Sequence, residues 1–155
     1  MFQSETYGVI DGTFYDKGIL NDPQTNDNWS NLNNNMSVNR TSQYTTIQST
    51  VGSSQNRWIA PTVTETAFVI EFDKHSTTVV NQYFLINGTG IQLHLNNIPN
   101  ANHLKFIVSN GNIKIYCDGE YKTTVTYSSH TGSVLFQFNS SGLRLDYSNF
   151  VIYPI

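Results

Sequence analysis

Charge is scarce in this chain. Lys, Arg, Asp and Glu make up 12% of its 155 residues, about half of the usual ~25%. The balance is slightly acidic, a formal net charge of -3, and no run of Lys and Arg is present to neutralise phosphates, which excludes nucleic acid as a partner. Cysteine occurs once, at Cys117, so no internal disulfide can form. It shares strand parity with Ile113 and Ile115 and reads as a buried, inert thiol. No apolar run approaches the ~20 residues that cross a bilayer, which argues against membrane insertion. The opening Met-Phe-Gln-Ser-Glu-Thr has neither the basic region nor the apolar stretch of a signal peptide. The expectation is therefore an excised domain of a larger protein, or a protein that reaches its place by assembly. Zinc-spaced Cys and His, a Gly-rich phosphate loop and a Gly-x-Ser-x-Gly elbow are all missing. So is any long stretch with a 3.6-residue apolar period, which excludes a helical fold.

Neutral polar residues stand where charge does not. Nineteen asparagines, with many Thr, Ser and Gln, make a surface rich in hydrogen-bond donors and acceptors. Such a surface suits extracellular or virion proteins that meet sugars; an AT-rich genome accounts for the same enrichment. The length implies one domain, residues 1–155, able to bury roughly 70% of its unfolded surface.

What the chain does have is two-residue alternation. Phe68, Ile70 and Phe72 point one way, and Val69, Glu71 and Asp73 the other. Leu104, Phe106 and Val108 repeat this, as do Ile113 with Ile115, then Tyr121, Thr123, Val125 and Tyr127, then Val134, Phe136 and Phe138. Between them stand Asn87-Gly88, Asn110-Gly111 and Asp118-Gly119, dipeptides that accept the positive φ of two-residue hairpins. Leu143 to Tyr147 and Asn149 to Tyr153 read as two last strands. Ten to twelve short strands with turns between them predict an all-β sandwich or barrel. Residues 1–55 are the least regular, and 21–35 read as a long polar surface loop interrupted by Trp29.

Several segments together carry a resemblance: Thr-Ala-Phe-Val-Ile-Glu-Phe-Asp at 66–73, Leu-Lys-Phe-Ile-Val at 104–108, Ile-Lys-Ile-Tyr-Cys-Asp-Gly at 113–119, Val-Leu-Phe-Gln-Phe at 134–138, and Asp-Tyr-Ser-Asn-Phe-Val-Ile-Tyr at 146–153. Over residues 66–155 the chain resembles the concanavalin A-like lectin/glucanase jelly rolls, including laminin G-like and carbohydrate-binding modules. The resemblance implies an antiparallel β-sandwich of two curved sheets, the concave one holding a glycan, and modules with this texture also occur in phage tail and fibre proteins. Glucanases of that group carry Glu-x-Asp-x-x-Glu on one strand, its outer carboxylates acting as nucleophile and acid. This chain has Glu71-Phe-Asp73-Lys-His75-Ser76. Ser76 replaces the last Glu, so the resemblance implies a protein that is not an enzyme. Glu71 and Asp73 then read as solvent-side polar positions, and His75 as a surface histidine.

Sugar binding needs an aromatic plane for the apolar face of a pyranose and planar polar groups for its hydroxyls. Outward parity offers Gln92, His94, Lys105, Lys114, Tyr116, Gln137, Arg144 and Asp146; the same residues are also what the solvated face of any sandwich would show. Tyr116, Gln92, His94 and Arg144, with Lys114 and Gln137, are the expected ligand-binding set, with Trp29 as a platform at the rim. Trp58, beside Ile59 and Pro61, reads as core. No cofactor is required, although Asn21, Asp22, Asn26 and Asp27 group oxygen ligands that a calcium ion would accept. The function expected from sequence is non-catalytic recognition of a cell-surface or extracellular glycan, within a larger adhesin or phage tail assembly, at an extracellular or virion surface. The alternative is a structural or protein-interaction spacer with no glycan ligand.

Overall fold

A computed structural model describes residues 12–20, 28–77, 81–93 and 102–155. Their regular structure is β-strand apart from one 3-10 turn at Leu32–Asn34. Two antiparallel sheets form a jelly-roll sandwich. The larger runs in the order β11 (Glu120–Thr126), β10 (Asn112–Cys117), β9 (His103–Ser109), β6 (Phe68–Thr77), β13 (Arg144–Pro154), β4 (Thr45–Ser49), β3 (Met36–Arg40), and β1 (Phe14–Asp16) also pairs with β13. The smaller runs β2 (Ser30–Asn31), β5 (Asn56–Ile59), β12 (Val134–Phe138), β7 (Gln82–Ile86), β8 (Thr89–Gln92).

The hairpins form where the dipeptides place them. Asn87, Asn110 and Asp118 each hold φ 51°, and Gly88, Gly111 and Gly119 follow at 80°, 78° and 84°. Positive φ at both central residues matches the turn to the right-handed strand twist. Alternation then sorts the side chains. Phe68, Leu93, Phe106, Ile115 and Phe136 meet in one dry interior between the sheets.

That interior is unusually aromatic. Phe136 of the smaller sheet contacts Phe72 (5.5 Å between centroids), Phe84 (4.9 Å) and Tyr147 (5.3 Å). Trp29 lies in the same layer. It stacks on Trp58 at 5.5 Å with 7° between planes and meets Phe150 edge-on at 4.9 Å. The expectation of Trp29 as an exposed sugar platform is thus corrected: it is 6% exposed, because residues Ser30–Asn31 pair with β5 and draw the preceding indole between the sheets. A polar chain crosses the same interior. The Trp58 Nε1–H donates to the Tyr147 hydroxyl (3.0 Å), which donates to Asp16 Oδ2 (3.3 Å), and Arg40 Nη1 donates to Asp16 Oδ1 (3.0 Å) and Thr45 Oγ1 (2.9 Å). Burial pushes the Asp16 carboxyl up, with Arg40 pulling it partly back, and burial likewise carries the Tyr147 phenol well above its usual range.

The last two expected strands are one. β13 continues through Ser148 to Val151 by a bulge, Asn149 taking φ 54°. One extra residue keeps Tyr147 and Phe150 both inward, which uninterrupted alternation forbids. Replacing Tyr147 by Phe strands the Trp58 N–H and one Asp16 oxygen in the interior; the expected loss is about 1–3 kcal/mol, read as a lower urea midpoint at unchanged slope. Trp29→Ala opens a cavity and is expected to cost about 3–5 kcal/mol in the same measurement.

Candidate functional site

On the outer face of the larger sheet, three neighbouring strands bring polar and charged side chains together. β6 carries Glu71 and Asp73, two apart and so on one face. β9 lies beside it with His103 opposite Asp73 and Lys105 opposite Glu71. β13 borders its other side, with Tyr153 opposite Val69 and Ser148 opposite Asp73.

His103 spans both carboxylates. Its Nδ1 lies 2.7 Å from Asp73 Oδ1 and its Nε2 2.9 Å from Glu71 Oε1. An ionised carboxylate only accepts, so the two contacts together favour the doubly protonated imidazolium, in which both ring nitrogens donate. The Tyr153 hydroxyl donates to Glu71 Oε2 in a short hydrogen bond, and Asn149 Nδ2, at the β13 bulge, donates to Asp73 Oδ2 (2.8 Å). All four carboxylate oxygens thus have a donor. The group is reachable: side-chain exposures are 42% for His103, 34% for Asp73 and 22% for Glu71.

Protonation states follow from these contacts. Burial alone would raise Glu71, but the hydrogen bonds of Tyr153 and then His103 hold it below the usual carboxylate range. Asp73 is lowered in the same way, burial being outweighed by Asn149 and His103. Burial would lower His103; its hydrogen bonds to Asp73 and Glu71, and their charges, raise it instead. Tyr153 is pushed up to about 12 by burial and by Glu71. Two carboxylates held toward the ionised form therefore touch two groups held toward the protonated form.

The strip continues beyond this centre. A bulge in β6 places His75 between Lys74, paired with Tyr147, and Ser76, paired with Asp146. His75 Nε2 lies 2.6 Å from Ser148 Oγ, and Tyr44 packs tilted against the imidazole at 5.3 Å.

The expected ligand-binding residues do not converge. Tyr116 and Lys114 sit on β10, on this outer face, with Tyr116 opposite Lys105. Arg144, at the far end of β13, forks onto Asp146 of its own strand at 3.0 and 3.1 Å. Gln92 and Gln137 project from the smaller sheet, on the opposite side of the sandwich. Gln92 donates to the Tyr83 hydroxyl (2.9 Å), and Gln137 accepts from Arg57 (2.8 Å). One outward parity was assigned to faces that point in opposite directions, since parity does not say which sheet a strand joins. His94 and the calcium candidates Asn21, Asp22, Asn26 and Asp27 lie outside the described residues. Sequence reasoning passed over His103 and Tyr153. The same-face pair Glu71 and Asp73 was the available signal; its partners come from strands adjacent only in space.

His103 sets a pH dependence. Its raised folded pKa means a stabilising contribution that is complete below the unfolded value, near 6.5, and lost as pH rises through the folded value. The lowered Glu71 and Asp73 contribute above their unfolded values and lose that contribution as pH falls. The melting-temperature gap between wild type and His103→Gln is expected to be widest near pH ~5–6 and to shrink on either side; a gap independent of pH would contradict the imidazolium assignment.

No protein-family model matches the sequence, and no curated protein is similar to it. Solved structures share its fold. A sialidase superposes with TM-score 0.53 at 9% identity over 77% of this chain, which spans 16% of that protein. A protein from Parabacteroides distasonis named as a glycosyl hydrolase gives 0.52 at 12% identity, covering 82% of this chain and 88% of that one. An alginate lyase of polysaccharide lyase family 7 gives 0.50 at 11% identity over 98% of both chains. At these identities the likeness is one of fold. It nevertheless overturns the expectation that the chain is not an enzyme: structures with this sandwich are named as enzymes, so the missing glucanase Glu at Ser76 does not exclude catalysis.

Proposed function

We propose that this chain is a carbohydrate-active enzyme domain that cleaves a polysaccharide on the outer face of the larger sheet, with Glu71 and Tyr153 moving the protons and His103 supplying charge. The reading rests on one observation: His103 bridges Glu71 and Asp73 while Tyr153 donates to Glu71. Glycoside hydrolysis by a carboxyl pair needs one member held protonated to serve the leaving oxygen. Here both are held ionised, and the available acids are a phenol and an imidazolium.

That distribution suits elimination better than hydrolysis. Glu71 takes the proton from the sugar carbon next to a carboxylate. The bond from the adjacent carbon to the glycosidic oxygen breaks, a C=C bond forms, and Tyr153 gives its proton to the departing oxygen. His103 and Lys105, opposite Asp73 and Glu71, supply positive charge for the sugar carboxylate. The fold shared with a polysaccharide lyase along nearly the whole of both chains supports this reading. As a module of a larger surface or virion protein, the domain would meet such polymers outside cells.

The test is incubation with sodium alginate, sodium polygalacturonate, hyaluronan and laminarin, following reducing ends and the ultraviolet absorbance of a C=C bond conjugated to a carboxylate. Elimination raises both signals on an acidic polymer. Reducing ends alone would replace elimination by hydrolysis, and silence on all four would sink the enzymatic reading. Tyr153→Phe and His103→Gln are each expected to lower the rate by about 10²–10⁴-fold, with Tyr153→Phe still folded by circular dichroism.

A further inference from the structure

We infer that Tyr116 and Tyr121 form a sugar-stacking subsite that holds the same polysaccharide chain two strands away from Glu71, an inference that rests on the site proposed above. Tyr116 lies on the outer face of β10, in one cross-strand row with Lys105 and Glu71. At ~4.8 Å between strands, the row sets the Tyr116 backbone roughly 10 Å from that of Glu71.

Tyr121 joins it only because β11 is irregular. From Asn112 to Ile115 the pairing with β11 is regular, ending at Ile115 with Thr123; the next pair is Tyr116 with Tyr121, and Lys122 is the extra residue. Without that bulge, Lys122 would face Tyr116, and Tyr121 would face the inward Cys117. The bulge therefore turns an aromatic ring out of the core face and sets it beside Tyr116, the re-aiming that bulges near functional sites perform. The rings meet edge to face at 5.7 Å and 67°. Tyr121 is 52% exposed, one of the few large apolar side chains at the surface among the described residues, and its hydroxyl bonds Thr124 Oγ1 at 2.9 Å, which fixes the ring. On this edge strand the Tyr121 ring packs against Tyr116 and stays half exposed. A sugar ring is the occupant that fits, because its C–H face stacks on the phenyl while its hydroxyls reach the neighbouring Lys105 and Thr124.

The test is affinity electrophoresis in gels cast with sodium alginate, sodium polygalacturonate, hyaluronan or laminarin, comparing wild type, Tyr121→Ala, Tyr116→Ala and Tyr121→Phe. Retardation of the wild type on at least one polymer is expected to weaken about tenfold in either Ala variant and to persist in Tyr121→Phe, which keeps the stacking face. Since β11 is an edge strand, thermal melts confirm that each variant is folded. Wild-type retardation shared equally by both Ala variants would overturn the subsite and leave the catalytic reading standing. No retardation of the wild type on any of the four would overturn the subsite, while the catalytic reading would then be judged on product formation alone.

Discussion

Everything in the outer cluster of this protein is placed by the aromatic layer beneath it. In a strand, each inward ring fixes the outward direction of its neighbours. Phe72 is locked against Phe84, Phe136 and Phe150, so Glu71 and Asp73 must face out together. Leu104 and Phe106, buried on β9, do the same for His103 and Lys105. Tyr147 and Phe150 hold β13 to the interior on both sides of its bulge, and the polar chain from Trp58 through Tyr147 to Asp16 and Arg40 ties that strand to the opposite sheet. The outer cluster gains little from its own ion pairs, since partly exposed pairs contribute only ~0.2–1 kcal/mol. Its geometry is inherited from packing.

Three bulges then adjust what strict alternation would deliver. The one in β13 brings Asn149 over Asp73 while leaving Phe150 in the core. The one in β6 turns His75 to Ser148. The third presents Tyr121. All three occur in the larger sheet. Among the described pairs of the smaller sheet the register runs without a break, and its outer row of Arg57, Gln137, Tyr83 and Gln92 is joined by hydrogen bonds within two pairs. The irregular sheet carries the charged cluster.

Much of the fold is legible in the chain because its two determinants are local. Asn-Gly and Asp-Gly announce hairpins, and period two separates inside from outside, which is enough to anticipate the core around Phe68, Phe106, Ile115 and Phe136. The bulges are not legible, since an extra residue such as Lys122 looks like any other until its partner strand is known; alternation alone puts Tyr121 with Thr123 and Val125. Trp29 misleads for a related reason. Its polar neighbours describe the loop around it, while its own position depends on β5, a strand far along the sequence. The site falls between these cases. Glu71 and Asp73 share a face on inspection, yet His103 and Tyr153 reach them only through the order β9, β6, β13, which no local signal encodes.

The scarcity of charge gives the cluster its character. In a chain with 11 acidic and 8 basic residues, two carboxylates on one face of one strand would ordinarily repel, which raises the pKa of both. An imidazolium between them removes that outcome, because each carboxylate gains a cationic donor and both stay ionised. His103 is raised by the two carboxylates, and Tyr153 keeps its own proton, held by burial and by Glu71. Glu71 thereby accepts from Tyr153 and His103 at once on the outer face of the sheet. Were His103 a neutral residue of the same shape, Glu71 and Asp73 would each lose a cationic donor and both carboxyls would titrate higher. The charge state of this face therefore turns on one side chain at the first position of β9.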